Sequence, residues 1–352
     1  MARLHFEGIG VRALAAAVPK NKVINLEYTT YFPPEEVKEV VEKIGIYERR
    51  FAPEGMTSSD LCFAAASQLI TDLKISPDEI DLLVFVSQTP DYRMPASSVI
   101  LQNRLGLPKT TMTFDVNMGC AGFLHGLSIV YSFMLQPGFR KALLLDGETR
   151  SKVYSPKDRR TAFLFGDAGV AALIEKDAAF GSSYFSIKSD GSRENLIKIK
   201  AGGYRFPSSA ETVKEKVVDE YGNIRSDEHA HMDGGEVFNF LISEVPPDIM
   251  ELMRWSGKDL SSFDFYVFHQ ANNFMNTYIR KKLKLPAERV PMIIDRFGNT
   301  SSVSIPLTIA VELKNQLNNK DLLLSGFGVG MTWASAAIHV ADMYIPDLIE
   351  LE

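Results

Sequence analysis

The sequence predicts an α/β protein built from two similar mixed-sheet halves that are related by an internal pseudo-two-fold repeat. Hydrophobic residues make up 45% of the 352 residues and charged residues 23%, which is typical of a compact globular protein. Apolar runs of strand length alternate with apolar helical segments. The order of these elements in the first half recurs in the second. We therefore expect two domains, 1–176 and 177–352.

The first half opens with an apolar stretch that is broken by Gly8, Gly10 and Arg12, which favours a strand and turn over a signal helix. Later apolar runs have the lengths of a buried strand or of a helix. The predicted elements are the strands IDLLVFVSQT (80–89) and TMTFDV (111–116), the helix CAGFLHGLSIVYSFML (120–135), and the strands KALLLDGET (141–149) and AGVAALIE (168–175).

The second half repeats this order. Its predicted elements are the strand FDFYVFHQAN (263–272), a shorter strand VPMIIDRF (290–297), the helix TSSVSIPLTIAVELKNQL (300–317), and the strands DLLLSGFG (321–328) and TWASAAIHV (332–340). Between the halves, residues 191–238 are polar, Gly-rich and irregular. We expect this segment to be a surface excursion that carries part of a substrate pocket.

Composition and charge exclude several classes of function. A net charge of −6 argues against general binding of nucleic acid. Cys62 and Cys120 are too few for a disulfide framework, and their spacing from the six histidines matches no zinc pattern. No window approaches the roughly 18 apolar residues of a membrane span. We expect a cytoplasmic protein with no metal, no nucleic-acid partner and no membrane partner.

Cys120 precedes the most apolar predicted helix, in the stretch DVNMGCAGF. Unpaired N–H groups at a helix start favour a thiolate and can also hold an oxyanion, so this position suits a nucleophile. The alternative is a buried structural thiol, because free cysteines are often buried. Cys62, in an amphipathic segment, supports only that alternative.

Two polar residues of the second half could complete a thiol site. His269 closes an apolar strand and could accept the thiol proton, although most such histidines are packed residues. Asn299 precedes a Ser/Thr-rich helix start, where an asparagine is commonly a cap or turn residue. The glycines of SGFGVGMTW miss the spacing of a dinucleotide loop, but they allow the backbone to approach a ligand closely.

In this order, Cys120 in NMGCAGF, His269 in FHQAN, Asn299 in RFGNTSSVSIP and the tail GFGVGMTW resemble the four signatures of a β-ketoacyl-acyl-carrier-protein synthase III, a condensing enzyme of the thiolase superfamily. GIYERR (45–50) and KDRRTAFLFGDAGVAALIE (157–175) also resemble family segments. The resemblance implies a thiolase-like fold and decarboxylative condensation of an acyl thioester with a malonyl-carrier protein.

The same resemblance implies roles for individual residues. Cys120 would be acylated, His269 and Asn299 would line the site of malonyl decarboxylation, and the backbone N–H groups of Cys120 and Val329 would form the oxyanion hole. No cofactor is implied, since coenzyme A or phosphopantetheine arrives with the substrate. The implied substrate-binding residues are Lys43, Arg159, Phe238, Phe327 and Met94.

The implied partners are an acyl carrier protein and a second copy of the chain. Arg280, Lys281 and Lys282 would contact the acidic carrier protein, although a solvated helix face is a common fate for such a run. Met94 would reach into the acyl pocket of the partner in a homodimer. Glu39 stands where the family commonly has a tryptophan for the adenine of coenzyme A, which weakens coenzyme A as the acyl donor.

Four alternatives remain at this point. A Cys-His-Asn hydrolase uses the same residue types, and a type III polyketide synthase shares the fold and the cysteine. A hydroxymethylglutaryl-CoA synthase would need a glutamate near the site, for which Glu148 is one candidate. A non-catalytic ketosynthase subunit would be expected to lose part of the Cys-His-Asn set. The sequence leaves open the acyl donor, its chain length, the pathway and any heteromeric partner.

Overall fold

The computed structural model of the chain describes residues 2–352. The strands are, in chain order, β1 (Ala2–Glu7), β2 (Ile9–Pro19), β3 (Lys22–Ile24), β4 (Glu48–Arg50), β5 (Ile80–Val86), β6 (Met112–Val116), β7 (Lys141–Thr149), β8 (Asp167–Lys176), β9 (Ser182–Ser189), β10 (Ile197–Lys198), β11 (Lys216–Val217), β12 (Ile224–Arg225), β13 (His231–Met232), β14 (Phe265–Phe268), β15 (Asn318–Gly328), β16 (Thr332–Asp342) and β17 (Ile349–Leu351). The α-helices are α1 (Pro34–Ile44), α2 (Ser58–Asp72), α3 (Ser97–Arg104), α4 (Gly122–Met134), α5 (Gly234–Ser256), α6 (Asn273–Lys282), α7 (Ile294–Phe297) and α8 (Ser304–Glu312).

Two mixed sheets repeat one pattern of strand pairing, as the sequence predicts. The first sheet has the order β17-β2-β8-β7-β5-β6, and the second has the order β1-β9-β16-β15-β14. In the first, β2, β8 and β7 are antiparallel neighbours and β7 lies parallel to β5. In the second, β9, β16 and β15 are antiparallel neighbours and β15 lies parallel to β14. The repeat confirms the predicted α/β fold with two similar halves.

The terminal strands cross between the halves. β1, at the start of the chain, pairs with β9 in the second sheet, whereas β17, near its end, pairs with β2 in the first. Each half therefore completes its sheet with a strand from the other end of the chain. The division at residue 176 stays a prediction.

The helices α4 and α8 lie between the two sheets, while α2 covers the outer face of the first sheet and α5 that of the second. Nearly every residue of α4 is buried, which explains why its sequence is apolar all round. Gly126 allows this close packing, since a Cβ there would lie 2.7 Å from a methyl carbon of Leu144. No helix within residues 2–352 combines the length and the apolar character needed to cross a bilayer.

The strand predicted at 290–297 is wrong, because this segment contains the short helix α7 instead. β14 is the edge strand of its sheet, and Ile293 and Ile294 are buried without pairing to it. The predicted helix 300–317 is shorter, spanning Ser304–Glu312, because Ser301 has a positive φ of 56° that an α-helix cannot contain. The other predicted strands are confirmed, with ends shifted by up to four residues.

The segment 191–238 is irregular apart from two-residue bridges that pair β10 with β13 and β11 with β12. At its end begins α5, which the sequence analysis did not identify. Asp233 caps this helix by accepting a hydrogen bond from the N–H of Glu236 at 3.1 Å. The sequence DGGE, an N-cap residue followed three positions later by Glu, was an available signal for it.

Replacing Leu127 by Ala should lower the free energy of unfolding by about 2–5 kcal/mol, because the side chain is fully buried in α4 between the sheets. Leu135, which follows the same helix and is 58% exposed, is the matched control, and its replacement by Ala should cost less than about 0.5 kcal/mol. Denaturant titration of both variants tests this placement. Equal losses would contradict a central position for α4.

Candidate active site

Cys120 lies in the turn between β6 and α4, two residues before the helix begins, and only 7% of it is exposed. The start of α4 packs closely against β5, since a Cβ on Gly122 would lie 2.8 Å from a methyl carbon of Val86. On the opposite side, a Cβ on Gly328 would lie 2.6 Å from the Cys120 sulfur. The glycine at the end of β15 is therefore required for the backbone to reach the thiol.

Burial acts to raise the pKa of the Cys120 thiol, but the net effect is a pKa lowered to about 7. The lowering comes from the charge and hydrogen-bonding capacity of His269, from the charge of Arg150 and from the backbone N–H of Val329. Cys62 shows the opposite balance, because burial and nearby carboxylates raise its pKa well above the ordinary value. Only Cys120 has the environment of a reactive thiol.

His269 follows the last residue of β14 and is held by Ser304. Its Nδ1 lies 2.8 Å from the Ser304 hydroxyl, which donates to the carbonyl of Ser301 at 2.8 Å. Because that hydroxyl proton is already used, the Ser304 oxygen accepts a hydrogen from Nδ1. This network assigns the Nδ1–H tautomer to the neutral ring and leaves Nε2 as a proton acceptor.

Asn299 makes no hydrogen bond with His269. Its Oδ1 accepts a hydrogen bond from the N–H of Ser301 at 2.9 Å, and its Nδ2 has only a long contact of 3.4 Å with the carbonyl of Ala271. The amide therefore keeps donor capacity for a ligand. These contacts do not form a hydrolase triad, in which the asparagine would orient the histidine. The partner of His269 Nδ1 is Ser304 instead.

Two backbone N–H groups lie free beside the thiol. Within the described part of the chain, the N–H of Cys120 has no acceptor, and the N–H of Val329 donates only to the Cys120 sulfur. Both lie beside the thiol, one in the turn before α4 and the other after β15. Two free N–H groups in this position can hold an oxyanion that forms on the carbon attacked by sulfur.

A narrow cavity of about 30 Å³ connects these groups. Cys120, His269, Asn299 and Val329 share it with Arg150 and Ser301. The remaining wall is mainly apolar and comes from Tyr154, Leu164, Phe165, Ile197, Met232, Val237, Met275 and Phe327. Ile197 and Met232 belong to the segment 191–238. The space suits a narrow, partly apolar ligand that reaches the thiol end-on.

Other residues predicted from the sequence lie outside this cavity. Phe238 packs against Phe274 and Tyr278, with ring centroids 5.0 and 5.4 Å apart. Lys43 is exposed on α1, and Met94 is 75% exposed in the loop between β5 and α3. Of the predicted substrate-binding residues, Phe327 alone lines the cavity.

Arg159 lies in a separate cleft that is partly lined by the aromatic residues Tyr31 and Tyr221. Its guanidinium is already paired with the carboxylate of Glu36. The predicted carrier-protein residues Arg280, Lys281 and Lys282 form the last turn of α6. Within residues 2–352, no group of three or more His, Cys, Asp or Glu side chains could hold a metal ion.

The sequence analysis missed Arg150, Ser301 and Ser304. Arg150 directly follows the last residue of β7, and a polar residue at a strand end is the same signal that identifies His269. Glu148, the candidate acid of the hydroxymethylglutaryl-CoA synthase alternative, is fully buried and does not line the cavity. It accepts hydrogen bonds from the N–H of Gln88 and the hydroxyl of Thr89.

Comparisons with known proteins identify the family of the chain. Residues 114–191 match the family model of 3-oxoacyl-[acyl-carrier-protein] synthase III, and residues 253–340 match the model of its C-terminal part. The chain is 32% identical over 342 residues to the β-ketoacyl-[acyl-carrier-protein] synthase III of Fusobacterium nucleatum. The aligned region covers 95% of this chain and 99% of that relative.

Solved structures give the same result. A 3-oxoacyl-(acyl-carrier protein) synthase from Burkholderia xenovorans is 38% identical, with a TM-score of 0.93 and 99% of both chains covered. The priming β-ketosynthase of a polyketide biosynthetic pathway is 26% identical, with a TM-score of 0.81, covering 96% of this chain and 97% of the other. The chain therefore belongs to the 3-oxoacyl-[acyl-carrier-protein] synthase III family.

Proposed function

We propose that the chain catalyses decarboxylative condensation of an acyl thioester with malonyl-[acyl-carrier protein], a reaction that initiates fatty-acid synthesis, through an acyl-Cys120 intermediate. The observation that carries this proposal is the thiol with a pKa of about 7 in a cavity shared with His269 and Asn299. Family membership supports the reaction class. The roles of individual residues rest on the chemistry of their positions.

In the first step, the Cys120 sulfur attacks the carbonyl carbon of the acyl thioester while Nε2 of His269 takes the thiol proton. The negative charge that develops on the carbonyl oxygen is held by the N–H groups of Cys120 and Val329. The bond between the acyl carbon and the sulfur of the donor thioester then breaks. The departing thiolate takes the proton from His269, and the acyl group remains on Cys120.

In the second step, the malonyl thioester loses carbon dioxide, and the electron pair of the broken bond forms an enolate. Nδ2 of Asn299 donates to the enolate oxygen whatever the protonation of His269, whereas His269 donates only when Nε2 carries a proton. The enolate carbon attacks the acyl carbonyl. The bond to Cys120 breaks, the thiolate is restored, and a β-ketoacyl thioester leaves.

The two steps consume the two thioesters and one proton from solvent, which restores the Cys120 thiol, so the proposed reaction needs no cofactor beyond the coenzyme A or phosphopantetheine of the substrate. Glu39 and Lys43 on α1 provide no aromatic ring for adenine, and Arg159 is neutralised by Glu36. These observations favour acyl donors whose binding depends on the phosphopantetheine arm and not on the adenine of coenzyme A. The basic end of α6 is the proposed contact for an acidic carrier protein.

We also propose that the chain forms a homodimer through the edge of the first sheet. β6 is the last strand of that sheet, and its outer side has no partner strand among residues 2–352. Exposed apolar residues surround this edge, namely Tyr92, Met94, Val99 and Met112. An unpaired edge strand flanked by apolar side chains is a favourable site for pairing with a second copy. Met94 would then contribute to the partner's acyl pocket.

Met112→Asp should convert the dimer into a monomer, because it places a charge on β6 at a residue that is 42% exposed in the single chain. Met250→Asp on α5, at a residue that is 39% exposed, is the control and should leave the molecular mass unchanged. Light scattering measures both. A monomeric unmodified protein, or a Met112→Asp variant that remains dimeric, contradicts the proposed interface.

The rate of alkylation by iodoacetamide should rise with pH through a midpoint near 7 and should modify Cys120, since the thiolate is the reactive form. His269→Ala should raise the pKa of Cys120 and move the midpoint to higher pH, because a group that lowers the pKa is removed. Mass spectrometry locates the label, and Cys62 serves as the internal control. Faster labelling of Cys62, or no shift in His269→Ala, would argue against the thiol's proposed role.

Asn299→Ala should reduce malonyl decarboxylation by about 100-fold or more, since it removes a donor to the enolate oxygen. Acylation of Cys120 should fall much less. Release of labelled carbon dioxide and formation of acyl-enzyme are measured separately. Equal loss in both half-reactions would show that Asn299 acts through the thiol or His269 instead of the enolate.

A further inference from the structure

Arg150 is a buried cation in the active-site cavity that lowers the pKa of Cys120 but contacts no substrate atom in either proposed step. It follows β7, is 5% exposed, and lines the same cavity as Cys120. Its Nη2 donates to Oε1 of Gln88 at 2.6 Å and to the hydroxyl oxygen of Ser301 at 2.9 Å. These two bonds hold the guanidinium in one orientation.

The polar group formed by Gln88 and Arg150 lies directly beside the nucleophile. A Cβ on Gly119, the residue before Cys120, would be 2.6 Å from Oε1 of Gln88 and 3.3 Å from Nη2 of Arg150. The Ser301 oxygen that Arg150 contacts is 3.9 Å from the Cys120 sulfur. Arg150 is therefore close enough to the sulfur that an acyl chain on Cys120 that runs toward Ser301 would reach it within its first few carbons.

Arg150 retains unused hydrogen-bond donors. No residue among 2–352 accepts a hydrogen from Nη1, whereas Nε faces the carboxylate of Glu148. Leaving buried donors unpaired is costly, and the rest of the cavity wall is mainly apolar. A ligand that brings an acceptor oxygen to this point would relieve that cost.

The charge of Arg150 is already balanced. Oε2 of Glu148 lies 3.5 Å from Nε, and Glu148 is fully buried. A second carboxylate from a ligand would add an uncompensated negative charge to a desolvated region, which is unfavourable. An uncharged acceptor avoids that penalty and still accepts hydrogen bonds from the guanidinium.

Resting on the proposed function, we propose that the acyl group transferred to Cys120 is short and carries an uncharged oxygen, hydroxyl or keto, on its β-carbon, and that Arg150 selects it by hydrogen bonding to that oxygen. Arg150 is thus the specificity-determining residue for the acyl donor. An unbranched alkanoyl group of the same length would leave the guanidinium donors unpaired.

The first experiment uses the unmodified protein and four-carbon thioesters of pantetheine: butanoyl, β-hydroxybutanoyl, acetoacetyl and succinyl. The rate of acyl-Cys120 formation is followed by mass spectrometry. β-Hydroxybutanoyl or acetoacetyl should load about ten-fold faster than butanoyl, and succinyl should gain no such advantage. Butanoyl loading as fast as both oxygenated donors, or succinyl loading fastest, would overturn the inference. Loading by none of the four would overturn the proposed function as well.

The second experiment removes the guanidinium of Arg150, which is the proposed hydrogen-bond donor. Arg150→Met alone leaves Glu148 as an unpaired buried charge and could unfold the protein, so the double variant Arg150→Met with Glu148→Gln is tested beside it. The preference for the oxygenated donor over butanoyl should fall to about one in the folded variants. The control variant Arg254→Met, at an exposed arginine of α5, should keep the preference for the oxygenated acyl donor. If the double variant retains the preference, Arg150 does not select the acyl group.

Discussion

Ser301 adopts a left-handed backbone conformation, with φ of 56°, and the polar groups of the site are arranged around it. Its N–H orients the amide of Asn299, and its carbonyl accepts from Ser304, the residue that holds His269. Its hydroxyl accepts from Arg150 and lies 3.9 Å from the Cys120 sulfur. A non-glycine residue in this conformation is strained, and it persists here because every one of its polar groups is engaged.

The repeat of the fold explains how these residues meet. Cys120 follows a strand of the first sheet and His269 a strand of the second, and both strands run parallel to their inner neighbours, β5 and β15. α4 and α8, between the sheets, bring the two strand ends to one cavity. Close packing at Gly122 and Gly328 leaves little freedom in the position of the thiol. The site is therefore rigid on the side of the nucleophile.

The two cysteines show how the environment decides reactivity. Both are buried and free, yet the pKa of Cys62 is raised while that of Cys120 is lowered to about 7. Carboxylates near Cys62 disfavour its negatively charged thiolate, whereas His269 and Arg150 stabilise the thiolate of Cys120. Burial alone would make both thiols inert. The buried Arg150 and Glu148 keep this region close to neutral while placing a cation beside the thiol.

Four features could be predicted from the amino-acid sequence alone: the α/β class, most of the strands, the repeat of two halves and the position of Cys120 before a buried helix. These features follow from local periodicity and from the polar residues that end apolar runs. Three features depend on the packing of distant elements and are visible only in the folded chain: the exchange of the terminal strands, the helix in place of a strand at Ile294–Phe297 and the network around Ser301. Arg150 and Ser301 are 151 residues apart, and their hydrogen bond exists because two sheets pack against the same helices. Local sequence patterns report which residues can form strands and helices, but a contact between distant residues depends on how those elements pack.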